Sequence, residues 1–147
     1  MHSANTLSGQ TLFDTLRRTT ARHPGKLAIQ QGEQCWTYAE FYQRCLHVGG
    51  GLQQLGILAG HRVAILSRNS STFAVARYAI AATGAVLVPV NFMLNPREAA
   101  YILNHSQARL LLVGKGELSK ANEFAALCPA LEQMVWMGSE EGLPTPS

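Results

Sequence analysis

Three short apolar runs in the middle of the chain constrain its fold more than any other feature of the sequence. They cover residues 63–66, 85–90 and 110–113, and none of them alternates apolar with polar side chains. Continuous apolar runs of this length are typical of strands that are covered on both faces, as in a parallel sheet. The segments between them are long enough for the helices that parallel crossovers require. The sequence therefore predicts strand, helix, strand, helix, strand, with right-handed crossovers.

Residues that begin and end helices support this order. Asn69 and Ser70 are N-cap candidates before a helix predicted over residues 73–82, and Gly84 follows that helix as a stop. Pro89 lies near the end of the second run. Because proline donates no hydrogen bond to a neighbouring strand, this strand is expected to fray or to lie at an edge.

The second crossover helix has a strong start signal. Asn95 is its expected cap, Pro96 takes the first helical position, and Glu98 lies where its carboxylate can reach back to the cap. After the third run, the sequence predicts a helix capped by Ser119 and then a fourth parallel strand over residues 134–137.

The chain before the first run is predicted to contain a helix, a hairpin and a second helix. Capping-box patterns at residues 11–14 and 37–40 open the two helices. Between them, short β runs at residues 27–30 and 35–37 indicate a small hairpin. Three glycines at residues 49–51 lie inside the second helix, which indicates either a bend or the close approach of another backbone. The predicted fold class is α/β: a layered, mainly parallel sheet with helical crossovers, preceded by a helix and a small β-hairpin.

Composition and charge exclude several classes of function. Hydrophobic residues make up 47% of the 147 residues, which is enough for a core. Charged residues make up only 14%, below the roughly 25% of ordinary soluble domains, and this shortfall predicts a surface meant for burial. The net charge of +3 comes from scattered basic residues, with no run that would follow a phosphate backbone. Nucleic-acid binding is therefore not expected.

Cysteine usage and apolar stretches bear on location. Cys35, Cys45 and Cys128 are odd in number and have no CxxC spacing, which is typical of reduced thiols in a cytoplasmic protein. Residues 1–10 are polar and lack the apolar centre of a signal peptide. The most apolar window, residues 73–90, is interrupted by charge, glycine and proline, so no transmembrane segment is predicted.

A search for catalytic patterns yields no catalytic residue. The five histidines have no HxxxH or HExxH spacing, so no metal site is predicted. No serine or cysteine lies in a nucleophile motif. Gly114-Lys115-Gly116 follows a predicted strand, but Ser119 replaces the third glycine of a dinucleotide-binding loop, which favours an ordinary connecting loop.

The loop after the second run is the best candidate for a substrate-facing segment. Asn91, Phe92 and Asn95 lie where the chain leaves the carboxyl end of a parallel strand, and ligands of open α/β sheets bind there. The simpler alternative is structural: Asn91 ends the strand, and Asn95 caps the following helix.

Short motifs recur in a fixed order from about residue 11 to residue 136. They are Thr37-Tyr38 with Glu40; Gly56; Gly60-His61-Arg62-Val63-Ala64-Ile65; Asn69; Gly84-Ala85-Val86-Leu87-Val88-Pro89-Val90-Asn91; Asn95-Pro96-Arg97-Glu98; and Tyr101-Ile102-Leu103. This series resembles the N-terminal portion of the adenylate-forming acyl-CoA synthetases, the superfamily of acyl- and aryl-CoA ligases, luciferases and peptide-synthetase adenylation domains. The stretch VPVNFMLNPRE looks most like the fatty or carboxylic acyl-CoA ligases. His61 departs from the family pattern, in which Asp is usual, and so do the three consecutive glycines.

The resemblance implies a fold and an activity. The fold would be a partial N-terminal subdomain of the acyl-CoA synthetase fold over residues 1–137, followed by a linker-like tail at residues 138–147. The activity would be carboxylate–CoA ligation with ATP, Mg²⁺ and CoA. It would proceed first to an acyl-adenylate and pyrophosphate, and then to a thioester and AMP.

The motifs that perform this chemistry in the family are absent from the sequence. They are a Ser/Thr/Gly-rich phosphate loop ending in Pro-Lys-Gly, an aromatic-Thr-Glu motif, a Thr-Gly-Asp motif and a C-terminal lysine. The chain is therefore expected to be a fragment that is inactive alone and binds none of these cofactors by itself. Its expected partner is the remainder of the synthetase domain, or a second copy. Two alternatives stay open: a stand-alone, non-catalytic interaction module, and a small nucleotide-binding domain that uses the loops after Val90 and Val113.

Overall fold

The computed structural model describes residues 11–138, in which helices alternate with strands. The elements in chain order are α1 (Leu12–Arg22), β1 (Leu27–Gln31), β2 (Gln34–Thr37), α2 (Tyr38–Gln54), β3 (Arg62–Leu66), α3 (Ser71–Ala82), β4 (Val86–Val90), α4 (Pro96–Ser106), β5 (Leu110–Val113), α5 (Leu118–Ala125) and β6 (Gln133–Trp136). Within this part of the chain, no helix has the length and hydropathy needed to cross a bilayer. Residues 1–10 and all but the first residue of the predicted linker at 138–147 lie outside the described residues.

Four parallel strands form the central sheet in the order β4-β3-β5-β6. The three apolar runs are neighbours, as predicted: β3 pairs with β4 on one side and with β5 on the other. β6 is the predicted fourth strand, and it begins one residue earlier than expected. β4 begins at Val86, and its place at the edge of the sheet confirms the expectation drawn from Pro89. The α/β class is thereby confirmed, with an antiparallel β1–β2 hairpin preceding the sheet.

Helices cover both faces of the sheet, which explains why the strands do not alternate apolar with polar residues. α2 and α3 pack on one face against Ile65 and Leu112, and α4 and α5 pack on the other against Leu66 and Leu111. All four residues of β5 and the last four of β3 are buried. Burial of apolar surface, at about 25 cal/mol per Å², is the main stabilising contribution in such a core.

A third cluster fixes α1 and the hairpin to the outer side of α2 and α3. Its buried members are Leu16, Trp36, Phe41, Cys45 and Val75. The cluster places the turn of the hairpin close to the N-terminus of α3, where it contributes to the candidate site described below.

Among residues 11–138, four of the five helices begin with a side-chain cap. The caps are Thr11, Thr37, Ser70 and Asn95, and all except Ser70 belong to complete capping boxes. The prediction for α5 was wrong: Ser119 lies inside the helix, and the N-cap position is Glu117, whose side chain does not cap it. The chain turns at Gly116, with φ of +84°, so the helix starts earlier than expected. The Glu117 carboxylate pairs with Lys120 three residues further on and with Arg68 from the loop after β3, and only the second contact is not visible in the local sequence.

One of the three glycines inside α2 lies against the backbone of α3. A Cβ added at Gly49 would lie 3.5 Å from the carbonyl oxygen of Ala79 in α3, whereas at Gly50 and Gly51 it would have nothing within 4 Å. The backbone of α3 therefore lies beside Gly49, but at the distance of an ordinary van der Waals contact, so the packing does not require glycine at any of the three positions.

Candidate functional site

The connections after β3 and β5 leave the sheet in opposite directions. β3 leads through α3 to β4, whereas β5 leads through α5 to β6 at the other end of the sheet. The two helices consequently lie on opposite faces. In open α/β sheets, ligands bind outside the carboxyl ends of the strands at such a reversal of strand order. The topology therefore indicates a binding site beside residues 67–70 and 114–117.

A cleft of about 210 Å³ lies at this reversal. Its walls come from the loops after β3, β5 and β6, from the start of α3 and from the hairpin: Gln31, Ser67, Arg68, Asn69, Ser70, Thr72, Gly114, Lys115, Met137 and Gly138. Arg68 and Lys115 are exposed basic residues. The cleft is therefore lined by hydroxyl, amide and cationic groups at the carboxyl ends of the buried strands.

The loops after β3 and β5 approach so closely that residue 114 has to be glycine. The Gly114 N–H donates to the carbonyl oxygen of Leu66 at 2.8 Å. A Cβ at this position would lie 2.6 Å from the Cβ of Ser67 and would collide with its Oγ. Since Gly114 is not among the glycines with positive φ, the requirement is steric and not conformational.

Protein side chains occupy the N-terminus of α3. The Ser71 N–H donates to Gln31 Oε1 at 2.5 Å, and the Ser71 hydroxyl lies 3.2 Å from Gln34 Oε1, to which it donates. The Phe73 N–H donates to Ser70 Oγ at 3.0 Å. These bonds satisfy donors that a helix N-terminus otherwise leaves open, and they hold the hairpin in place as the outer wall of the cleft.

The predicted substrate-facing residues lie one strand away, at the carboxyl end of β4. Asn91 Oδ1 accepts a hydrogen bond from the Met93 N–H at 2.9 Å and so stabilises the turn. Asn95 Oδ1 accepts from the Glu98 N–H, and the Glu98 carboxylate accepts from the Asn95 N–H, both at 3.0 Å. Both asparagines have the structural roles of the alternative interpretation, and contact with a substrate stays a prediction.

Phe92 connects this loop to a charged cluster that sequence reasoning missed. The Arg68 guanidinium lies 4.5 Å from the centroid of the Phe92 ring, and Lys120 Nζ donates to the Phe92 carbonyl oxygen. Glu117 lies between the two cations, 3.5 Å from Arg68 Nε and 3.8 Å from Lys120 Nζ. In the described part of the chain, Glu117 is the one buried charged residue, at 5% exposure. Glu117 and Lys120 are three residues apart in the chain, but no local spacing signals that Arg68 and Phe92 join them, because these residues follow different strands.

A second polar network lies at the amino edge of the sheet. Arg109 donates to both carboxylate oxygens of Glu132, at 3.0 and 2.9 Å, and its Nη1 lies 2.9 Å from His61 Nε2. The hydrogen bond from Arg109 lowers the pKa of Glu132. The network joins the beginnings of β3, β5 and β6, and it explains how His61 is accommodated where the family pattern has Asp. It lies at the edge of the sheet opposite the cleft, and it connects the starts of three strands.

The described residues offer no reactive thiol pair or metal centre. Within residues 11–138, no group of three or more His, Cys, Asp or Glu side chains could hold a metal ion. The three cysteines are free thiols. Burial raises the pKa of Cys45 to about 12 and also raises that of Cys128, so neither is a nucleophile near neutral pH.

Comparison with known proteins identifies the family. The sequence profile of the family described as AMP-binding enzyme matches residues 16–143. The chain belongs to the AMP-binding enzyme family. The long-chain-fatty-acid–CoA ligase of Thermus thermophilus is 37% identical over 130 residues, which cover 79% of this chain and 24% of that protein. The 4-hydroxybutyrate–CoA ligase 2 of Metallosphaera sedula is 31% identical over 108 residues, which cover 74% of this chain and 20% of that protein.

Solved structures of CoA ligases share the fold. The anthranilate CoA ligase AuaEII, in complex with anthranoyl-AMP, matches with a TM-score of 0.83 at 26% identity, over 94% of this chain and 28% of that one. The N-terminal domain of FACL13 from Mycobacterium tuberculosis, with an inhibitor bound, matches with a TM-score of 0.84 at 24% identity, over 94% of this chain and 37% of that one. The chain spans about a quarter of the length of the curated relatives that it matches. It corresponds to an N-terminal portion of the acyl-CoA synthetase superfamily fold.

Proposed function

We propose that this chain forms the N-terminal part of an ATP-dependent carboxylate–CoA ligase that acts through an acyl-adenylate. Its curated relatives are named as CoA ligases for a long-chain fatty acid and for 4-hydroxybutyrate, so the proposed substrate class is an aliphatic carboxylic acid. The observation that carries the proposal is the cleft at the reversal of strand order between β3 and β5.

In this role the chain supplies a wall of the active site. Arg68 and Lys115 would attract the anionic parts of ATP and CoA, and the apolar ends of the strands would exclude water from one side. Asn91, Phe92 and Asn95 would face the acyl group from a loop that its own hydrogen bonds already shape.

The reacting groups would come from the remainder of the synthetase. The sequence lacks the phosphate loop and the lysine of the family, and the matched relatives extend well beyond the region that they share with this chain. Magnesium in such enzymes is usually held by one or two carboxylates together with substrate phosphates, and residues 11–138 contain no group of three or more ligating side chains that could hold it without the substrate. We therefore expect the chain alone to be inactive and to act, in the cytoplasm, together with the remaining part of the domain.

Exposed apolar side chains indicate where that remainder would dock. Met93, Tyr101, Leu127 and Trp136 have between 48% and 77% of their surface exposed. Trp136 lies on β6, an edge strand that has no partner on its outer side among residues 11–138. Unpaired edges accept further strands, whereas Pro89 weakens the opposite edge by removing a donor. A second copy of the chain would use the same surfaces if the remainder were absent.

ATP–pyrophosphate exchange tests the proposed function. The 147-residue chain alone is expected to show no exchange that depends on a carboxylic acid. A chimera in which this chain replaces the matching segment of the Thermus thermophilus long-chain-fatty-acid–CoA ligase is expected to show it with fatty acids. Two results contradict the proposal: a folded chimera that is inactive, and exchange by the chain alone above a heat-inactivated control.

The same cleft favours a small nucleotide-binding domain as the second candidate. Calorimetric titration of the chain with ATP, AMP and CoA separates the two candidates, since we expect no saturable binding without the remainder. Micromolar binding of any of these by the chain alone would favour the nucleotide-binding domain. If the chimera is inactive and the chain binds neither ATP, AMP nor CoA, the results would favour a non-catalytic interaction module.

A further inference from the structure

We propose that Glu117 is a positioning residue that holds the loop after β4, residues 91–95, in the conformation that a carboxylate substrate requires. The proposal rests on the CoA-ligase function proposed above. Glu117 directly precedes α5, and it is almost fully buried although it is charged. A buried carboxylate persists only with charged or hydrogen-bonding partners, and two basic side chains provide them here.

Each of the two cationic side chains that contact Glu117 also contacts a different part of Phe92. Arg68 Nε is 3.5 Å from one carboxylate oxygen, and the Arg68 guanidinium lies over the Phe92 ring at 4.5 Å. Lys120 Nζ is 3.8 Å from the other oxygen, and it donates to the carbonyl oxygen of Phe92. One carboxylate therefore orients two cations, and the cations fix the side chain and the backbone of one loop residue.

Without this cluster, the loop would keep the apolar contacts of Phe92 and Leu94 with the core, but it would lose its polar attachment to Arg68 and Lys120. Its own hydrogen bonds are local, because Asn91 accepts from Met93 and Leu94 within the same turn. These bonds shape the turn but do not attach it to the loops after β3 and β5. The Arg68 side chain is 70% exposed and that of Lys120 is 35% exposed, so both cations would turn to water if the negative charge were removed.

Hydrogen exchange of the chain tests this attachment without any enzymatic reaction. In Glu117→Gln, which keeps the shape and removes the charge, the amides of Met93 and Leu94 are expected to exchange about tenfold faster. Exchange in β3 and β5 is expected to stay unchanged. Glu123→Gln is the matched control, since Glu123 is an exposed carboxylate on the same helix. Unchanged exchange at residues 93 and 94, or faster exchange throughout the sheet, would overturn the proposal.

Two variants of Lys120 separate attachment from general stability. Lys120→Met removes the bond to Phe92 and is expected to accelerate exchange of the same amides. Lys120→Arg keeps a donor and a positive charge, and it is expected to restore the slow exchange of the unsubstituted chain. Equal exchange in the two variants would contradict the role given to this contact.

Kinetics of the chimera then connect the loop to the substrate. Glu117→Gln is expected to raise KM for the fatty acid by roughly tenfold, with a smaller change in kcat and in KM for ATP, because the loop contributes to binding the acid. An unchanged KM for the acid would refute the positioning role even if the loop had become mobile. A chimera that is inactive before substitution would refute the proposed function instead, and the exchange experiment would still decide the attachment of the loop.

Discussion

Replacement of Gly114 by alanine should destabilise the protein through a single collision between two loops. The added Cβ would lie 2.6 Å from the Cβ and 3.1 Å from the Cα of Ser67, so the backbone after β3 or after β5 has to shift. Rotation of the Ser67 hydroxyl relieves only the contact with Oγ. Overpacking of this kind costs about 1–3 kcal/mol. For a domain of this size, the cost corresponds to a fall in Tm of roughly 3–9 °C.

Thermal unfolding at one fixed protein concentration measures the effect. Gly50→Ala is the matched control, because a Cβ there meets nothing within 4 Å in the middle of α2. That control should be stabilising by up to about 1 kcal/mol, the difference in helix propensity. The double variant Ser67→Gly with Gly114→Ala should lose less stability than the two single effects add up to. The steric reasoning would be refuted if Gly114→Ala were as stable as the unsubstituted chain. It would also be refuted if the effects of the two single substitutions on stability were strictly additive in the double variant.

Three further outcomes follow from the structure. At about pH 8, an alkylating reagent should modify the exposed Cys35 and leave Cys45 unmodified, because burial raises the pKa of Cys45 to about 12. Equal modification of the two cysteines in the folded protein would contradict this. The pKa of Glu132 lies below its ordinary value of 4.5, so its ion pair with Arg109 stabilises the fold above that pH and is lost on acidification. On acidification from about pH 5 to pH 3, the Tm of Glu132→Gln should therefore fall less steeply than the Tm of the unsubstituted chain. If the two curves of Tm against pH are parallel, the ion pair contributes nothing to stability. Light scattering of the chain alone should reveal self-association with dye-binding apolar surface, and a monomer that binds no dye would argue against the proposed docking surfaces.

Local signals account for the parts of the fold that the sequence predicts well. The capping boxes that begin α1, α2 and α4 are formed by side chains and backbone groups only three residues apart, so their hydrogen bonds can be inferred before the tertiary structure is known. The apolar runs likewise indicate burial on both faces, and this is confirmed for β3 and β5 but was wrong for β4, where an edge position leaves Val86 and Pro89 exposed.

The candidate site could be predicted only in part. The sequence directs attention to the loop after β4, because Asn91 and Asn95 are recognisable at the end of an apolar run. It also directs attention to the loop after β5, where Gly114 and Lys115 follow an apolar run, but not to the loop after β3 that lies beside it. Strand order does not follow from the order of the runs: β3 and β5 are neighbours although β4 lies between them in the chain. The reversal of direction between β3 and β5, and with it the cleft, exists only in the assembled sheet.

By itself, the sequence predicted which segments are helices and strands, that the strands of the central sheet are parallel, and which family motifs the chain contains. Burial on both faces holds for the inner strands β3 and β5, whereas in the edge strand β4 only Val90 is buried. Tertiary structure alone decided that Arg68, Phe92 and Glu117 lie together, that residue 114 has to be glycine beside Ser67, and that α5 begins without a side-chain cap. The physical reason is the range of the interactions. Capping and periodicity act within a few residues along the chain, whereas ion pairs and steric contacts between loops depend on which strands the sheet brings side by side.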